Sequence, residues 1–175
     1  MELNSFILAL PRSRTSWLTA FLQHPEAFCG HELFSTSVDA SLFYSVPHKY
    51  RISVDTNPLI AKEYTKDLGV PLIIVKRNPT DVLNSLCKAF GEDKREYLSQ
   101  CTTKLKEALK EAEIYADLIV PFEELDESLD SIWDLCYPDK ELTSLHKETF
   151  KSLVINTKQI NYKDFKQEFD LCLTQ

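Results

Sequence analysis

Phe6-Ile7-Leu8-Ala9-Leu10-Pro11-Arg12-Ser13-Arg14-Thr15-Ser16-Trp17-Leu18 is the stretch on which the fold turns. Its five leading apolar residues, stopped by a proline, read as a buried strand leaving its sheet. From Thr15 to Gln23, the residues Trp17, Leu18, Phe21 and Leu22 fall at helical spacing, with Ser13 or Thr15 available as a cap. Strand, short polar loop and helix recur downstream. Arg51-Ile52-Ser53-Val54-Asp55 reads as a second strand, and Asn57-Pro58 opens a helix that should end near Gly69. Val70 to Val75 is a third strand, followed by a helix from Thr80 to about Phe90 that starts behind Pro79 and stops at Gly91. Two strand-to-helix units in a row predict parallel strands with helical crossovers.

Farther along, Glu92 to Tyr115 is helical and charged, with Leu98, Leu105, Leu109 and Ala112 on one face. Asp117-Leu118-Ile119-Val120, closed by Pro121, reads as a fourth strand. A helix to about Tyr137 carries Leu125, Leu129, Ile132, Trp133 and Cys136 on one side, and weaker helical patterns cover Leu142 to Leu153 and Tyr162 to Leu171. The expectation is one α/β domain over residues 1–175, with a parallel sheet of about four to five strands flanked by helices.

Composition narrows the function classes. Gly30, Gly69 and Gly91 are the only three glycines, where average usage would give roughly twelve. They stand singly, so neither G-x-G-x-x-G nor G-x-x-x-x-G-K-[ST] can be written anywhere. With 43% hydrophobic and 27% charged residues the chain can bury a core. The net charge of −7 is local: residues 92–130 hold twelve acidic and five basic side chains, and the remainder balances at fifteen against fifteen. That stretch reads as a solvated helix face. General binding to nucleic acid or to an anionic membrane is not expected, yet a local basic site elsewhere is compatible with the balance. No run of eighteen apolar residues suggests a membrane span. Five cysteines without a C-x-x-C pair, and no charged-then-apolar leader, point to a reducing, cytoplasmic setting.

In an open parallel sheet, ligands sit outside the carboxyl ends of the strands. Those exits here are Pro11-Arg12-Ser13-Arg14-Thr15-Ser16 after the first strand and Lys76-Arg77-Asn78-Pro79 after the third. Both carry cationic side chains that a structural turn does not need, so each is a candidate anion site, and together they suit a ligand with two separated anionic groups. Solvated or carboxylate-paired arginines and capping hydroxyls are the simpler account of the same residues.

Leu10-Pro11-Arg12-Ser13-Arg14-Thr15-Ser16-Trp17-Leu18 resembles the phosphosulfate loop of sulfotransferases that use 3′-phosphoadenosine-5′-phosphosulfate (PAPS), in which a strand leads into Pro-[Lys/Arg]-Ser-Gly-Thr-[Thr/Ser]-[Trp/Leu]-Leu. Val75-Lys76-Arg77-Asn78-Pro79-Thr80-Asp81-Val82-Leu83-Asn84-Ser85 is similar to that family's 3′-phosphate segment, Arg-[Asn/Asp]-Pro-x-Asp-x-x-x-Ser, and Arg77 and Ser85 keep its eight-residue spacing. Leu118 to Leu125, followed by Leu129 to Trp133, is a weaker third likeness. The resemblance implies a P-loop-type fold and sulfuryl transfer from PAPS to a hydroxyl or amine on a small molecule or glycan, with no metal. It implies that Arg12 holds the sulfate and bridging oxygens, that Ser13, Thr15 and Ser16 cradle the 5′-phosphate, and that Arg77 and Ser85 select the 3′-phosphate. Trp17 reads as core, with stacking on adenine as its alternative role. Arg14 stands where the family has glycine: its guanidinium either adds an anion contact or marks a distorted loop. A positive φ there would cost about 1 kcal/mol or more. The C-terminal Gly-x-x-Gly-x-x-Lys segment of the long cytosolic enzymes is absent.

Sulfuryl transfer needs a group to accept the acceptor's proton. Family members use a His at the end of an early strand or a Glu after the loop helix. Cys29-Gly30-His31-Glu32 lies at the second place and Asp55, twenty-two residues before Arg77, at the first. Glu32 is the first candidate, His31 the second and Asp55 the third. Cys29 and His31 lack the second ligand pair a zinc site needs. His24, His48 and His146 read as surface or turn residues, and the acceptor pocket is expected from residues 30–50 and the tail, which carry Phe34, Phe43 and Tyr44. Two other readings remain: a sulfotransferase-like nucleotide-binding or interaction protein without turnover, and a small P-loop kinase, which the missing Gly-Lys-[Ser/Thr] disfavours.

Overall fold

Five parallel strands are built from the apolar runs, in the computed structural model that describes residues 3–34, 40–59, 70–154 and 161–172. Strand β1 (Leu3–Ala9) is central and apolar nearly throughout, as a strand covered on both faces must be. Helix α1 (Thr15–Phe21) follows, then β2 (Ala27–His31), α2 (Ala40–Ser45) and β3 (Tyr50–Asp55). Next come β4 (Leu72–Lys76), α3 (Pro79–Phe90), α4 (Arg95–Ala112) and β5 (Leu118–Pro121). Helices α5 (Leu129–Cys136), α6 (Ser144–Ser152) and α7 (Tyr162–Cys172) complete the described chain. Among the described residues the sheet order is β2-β3-β1-β4-β5, with Leu8 level with Asp55 on one side and Ile74 on the other. The expected α/β class and parallel sheet are what the chain adopts.

Alternation along the strands divides the core into two layers. Ile7 and Ala9 of β1 face α1 and α5, where Trp17, Phe21, Ile132 and Trp133 close the packing. Phe6, Leu8 and Leu10 face α3 and α4, against Val82, Leu86, Leu98 and Leu105. The stripes at helical spacing are the ones buried: Leu98, Leu105, Leu109 and Ala112 on α4, and Leu129, Ile132, Trp133 and Cys136 on α5. Among the described residues no helix is long and apolar enough to cross a membrane.

Sequence and structure part company at β2. Ala27–His31 is an additional strand at the sheet edge, where the sequence reading assigns no strand. Five residues with a half-buried pattern carry too little periodicity to be recognised. Gly30 is there for close packing: a Cβ at that position would lie 2.5 Å from the Leu33 side chain. The helix expected to end near Gly69 lies outside the described residues beyond Leu59.

Gly91 does stop α3. Its φ of 111° is in the region that disfavours a Cβ, and its N–H closes the helix on the Cys87 carbonyl at 2.8 Å. A Cβ would also meet Asp93 Oδ1 at 2.5 Å. Gly91→Ala should therefore cost about 1–2 kcal/mol and lower Tm by roughly 2–8 °C in thermal unfolding.

Strand order fixes where a ligand can enter. The connection leaving β1 runs to β2 on one side of the sheet, and the one leaving β4 runs to β5 on the other. The strand order therefore reverses between the carboxyl ends of β1 and β4, and the crevice of such a sheet opens at that point.

Candidate anion-binding site

Two segments that the sequence keeps far apart meet at that crevice. Pro11 ends β1's run, and the loop turns through Arg12 at φ 68° and Arg14 at φ 58°, both in the left-handed region. Each non-glycine residue held there costs about 1 kcal/mol or more, so the surrounding contacts must hold the loop. Some of those contacts come from the β4 exit. Arg77 donates to the Arg12 carbonyl, and Arg12 Nε donates to Ser85 Oγ at 3.2 Å across 73 residues of chain. Asn78 caps α3 by accepting from the Thr80 N–H at 2.9 Å, and Pro79 sets the first helical turn, which fixes where Ser85 stands.

Charge at this point is unbalanced. Arg77 lies over the Phe122 ring at 4.4 Å, and among the described residues neither Arg77 nor Arg12 has a carboxylate partner. Lys76, by contrast, is neutralised by Glu113 at 2.8 Å. Ser13, between the two left-handed residues, is fully buried and its Oγ has no hydrogen-bond partner. Native proteins rarely leave a buried hydroxyl unsatisfied. Of the residues that the sequence assigns to anion binding, Arg12, Arg77 and Ser85 are thus linked by hydrogen bonds, with Ser13 next to Arg12 in the loop.

Arg14 does something else. Its Nη1 donates to Asp126 at 2.9 Å, and its guanidinium lies 4.2 Å over Trp17. The φ that glycine normally supplies is positive here, and the side chain is turned onto a carboxylate and an indole. Trp17 itself is core, stacked on Phe21 with Nε1 donating to the Phe150 carbonyl at 3.0 Å.

On the other side of the loop stands the end of β2. His31 Nε2 lies 2.9 Å from Thr15 Oγ1 and 3.4 Å from Ser16 Oγ, and its Nδ1 is 3.8 Å from Glu32 Oε2. Glu32, at φ 57°, accepts from Thr56 and donates its N–H to the Val54 carbonyl at 2.8 Å. His31 touches the loop hydroxyls, and Glu32 lies on its Nδ1 side. Asp55 is fully buried, with Oδ1 accepting the Phe34 N–H at 3.0 Å and Oδ2 accepting from Ser53, and so ties down the turn after β2.

Burial pushes the His31 pKa below the ordinary histidine value, against an upward pull from Glu32. A group whose neutral form is favoured by folding leaves stability intact above its unfolded pKa and erodes it as pH falls through the folded one. Between pH 7 and pH 5 the protein should lose stability, and His31→Asn should flatten that slope in thermal unfolding followed against pH.

His146 is half-buried in the first turn of α6: its Nε2 meets the Phe21 carbonyl at 2.8 Å, and its ring packs on Phe150 and Trp133. Phe34 and Phe43, expected near an acceptor pocket, are buried and pack against Phe6. The thiols of Cys29, Cys87, Cys101 and Cys136 are free and buried, and desolvation pushes Cys101 up to about 11 and Cys136 up to about 12. They are poor nucleophiles at neutral pH. Among the described residues no group of three or more His, Cys, Asp or Glu could hold a metal.

Asp126 and Phe122 escape a sequence reading. Both lie past β5, and their contacts with Arg14 and Arg77 depend on β5 pairing with β4. No local spacing signals that. Compared with known proteins, the chain matches no family model and no curated protein.

Proposed function

We propose that the protein transfers a sulfuryl group from PAPS to a hydroxyl or amine of a small-molecule or glycan acceptor, in the manner of the sulfotransferases its loop resembles. The meeting of the two strand exits carries this reading: Arg77 donates to the Arg12 carbonyl and Arg12 to Ser85, neither arginine has a carboxylate partner among the described residues, and Ser13 beside Arg12 in the loop is buried with its hydroxyl unsatisfied. Cationic and hydroxyl groups of this kind are suited to phosphate and sulfate oxygens, and when bound the donor would supply an activated S–O bond; binding would require Arg12 to leave Ser85 for the sulfate end.

Each residue then has a task. Arg77 and Ser85 bind the 3′-phosphate and so discriminate against nucleotides that lack it. Ser13, Thr15 and Ser16 bind the 5′-phosphate with hydroxyls and loop amides. Arg12 faces the charge that grows on the leaving phosphate and stabilises it more in the transition state than in the ground state. His31, kept neutral by burial, accepts the acceptor's proton, and Glu32 stabilises the imidazolium that results. Arg14 keeps the loop in its turn.

Incubation with PAPS and a panel of alcohols, phenols, amines and glycans tests the reading. Release of adenosine 3′,5′-bisphosphate that depends on an acceptor is the expected outcome. Donor binding without transfer to any acceptor would instead make the protein a nucleotide-binding module, and preference for ATP with magnesium would make it a kinase.

A further inference from the structure

We propose that Asp126 is a positioning residue for the loop: through Arg14 it holds the left-handed backbone turn that a glycine would otherwise supply. The proposal rests on the reading of the loop as a phosphosulfate site, and deepens it by naming what keeps that loop in shape.

Three observations lead there. First, Arg14 is the residue whose carbonyl opens α1, accepting the Leu18 N–H at 2.9 Å, so its backbone sets the direction in which the loop enters the helix. Second, that backbone sits at φ 58° and ψ 24°, with no side-chain cap on the helix to help hold it. Third, the guanidinium is gripped from two sides, by Asp126 at 2.9 Å and by the Trp17 ring at 4.2 Å. Trp17 is fixed in the core through Phe21 and the Phe150 carbonyl. Asp126 stands in the turn between β5 and α5, which is tied to β4 by strand pairing. The grip therefore joins the loop to the helix it enters, through Trp17, and to the segment after β5, through Asp126.

The charge pattern agrees with this division of labour. Arg12 and Arg77 have no carboxylate partner among the described residues, and Arg14 has one. A guanidinium already satisfied by Asp126 is held for structure, and the unsatisfied pair is left for the ligand. A glycine loop reaches the turn by conformational freedom; this chain, so poor in glycine, reaches it with an arginine held at its far end.

A double-mutant cycle with two readouts tests the proposal: amide hydrogen exchange at residues 12–16, and affinity for adenosine 3′,5′-bisphosphate. Asp126→Asn should speed exchange at the loop amides and weaken the bisphosphate by about tenfold each, and Asp126→Glu should restore both. In the Arg14→Gly background, Asp126→Asn should change neither, because the contact it would break is gone. Asp126 is about half exposed, with side-chain exposure of 46%, so the fold does not depend on it. Asp126→Ser should behave as Asp126→Asn does. Unchanged loop exchange in Asp126→Asn, or an effect that persists undiminished in the Arg14→Gly background, would overturn the proposal. If the unmodified protein binds no bisphosphate, the sulfotransferase reading fails while the exchange measurements still decide the role of Asp126.

Discussion

Arg77→Ala is expected to remove nearly all the thermal stabilisation that adenosine 3′,5′-bisphosphate gives the protein. A guanidinium hydrogen-bonded to phosphate contributes about 1.5–3 kcal/mol of binding, which corresponds to a loss of roughly 100-fold in affinity. At a ligand concentration of about 100 times the original Kd, the stabilisation would fall from about 2.7 to about 0.4 kcal/mol. Arg77 is half-buried and rests on Phe122 without a carboxylate partner, so its removal strands no buried charge but frees the Arg12 carbonyl, and the ligand-free protein should unfold somewhat below its usual temperature, which the shift measurement subtracts. Arg77→Lys keeps a cation but loses the planar fork, and should fall between the two. Stabilisation that is the same in Arg77→Ala would remove the 3′-phosphate from the account.

The second large effect belongs to Arg12. If it stabilises the leaving phosphate, Arg12→Ala should lower kcat by about 10²–10³ while weakening the bisphosphate much less. Alanine is the right replacement, because it retains the Cβ and with it the same demand on the φ of 68°. Glycine would relieve the backbone and mix two effects. Single-turnover measurements with saturating PAPS separate the chemical step from binding; a fall in affinity equal to the fall in rate would make Arg12 a binding residue only.

Much of this was legible before any coordinates. Proline and glycine bracket α3 as expected, because Pro79 fits the first helical turn and Gly91 supplies a φ that few residues tolerate. The apolar runs of β1, β3 and β4 gave the parallel sheet, since strands buried on both faces cannot alternate. The likeness of two motifs paired Arg77 with Ser85 and placed Arg12 at the other end of the ligand; that Arg12 itself donates to Ser85 across 73 residues was not expected. What escaped was short or distant. β2 has five residues and a glycine, too few to show a period. A sequence does not say which of the adjacent His31 and Glu32 touches the loop; His31 does, and Glu32 follows it in a left-handed turn. Asp126 is 112 residues from Arg14, and no spacing rule reaches that far.

Arg14 was the residue on which function seemed to hinge, as either a grip on the donor or a flaw in the loop. Its side chain is turned onto Asp126 and Trp17. The left-handed turn thus stands at a position without glycine, and in the proposed function Arg12, Ser13, Arg77 and Ser85 are the residues left to meet the ligand.

Thermal unfolding of the purified protein with and without adenosine 3′,5′-bisphosphate, beside ATP with magnesium at the same concentration, tests the central claim most directly. The account predicts a rise in Tm of roughly 5–10 °C with the bisphosphate near 100 times its Kd, and a much smaller one with ATP. No shift with the bisphosphate, or a larger one with ATP and magnesium, would contradict it.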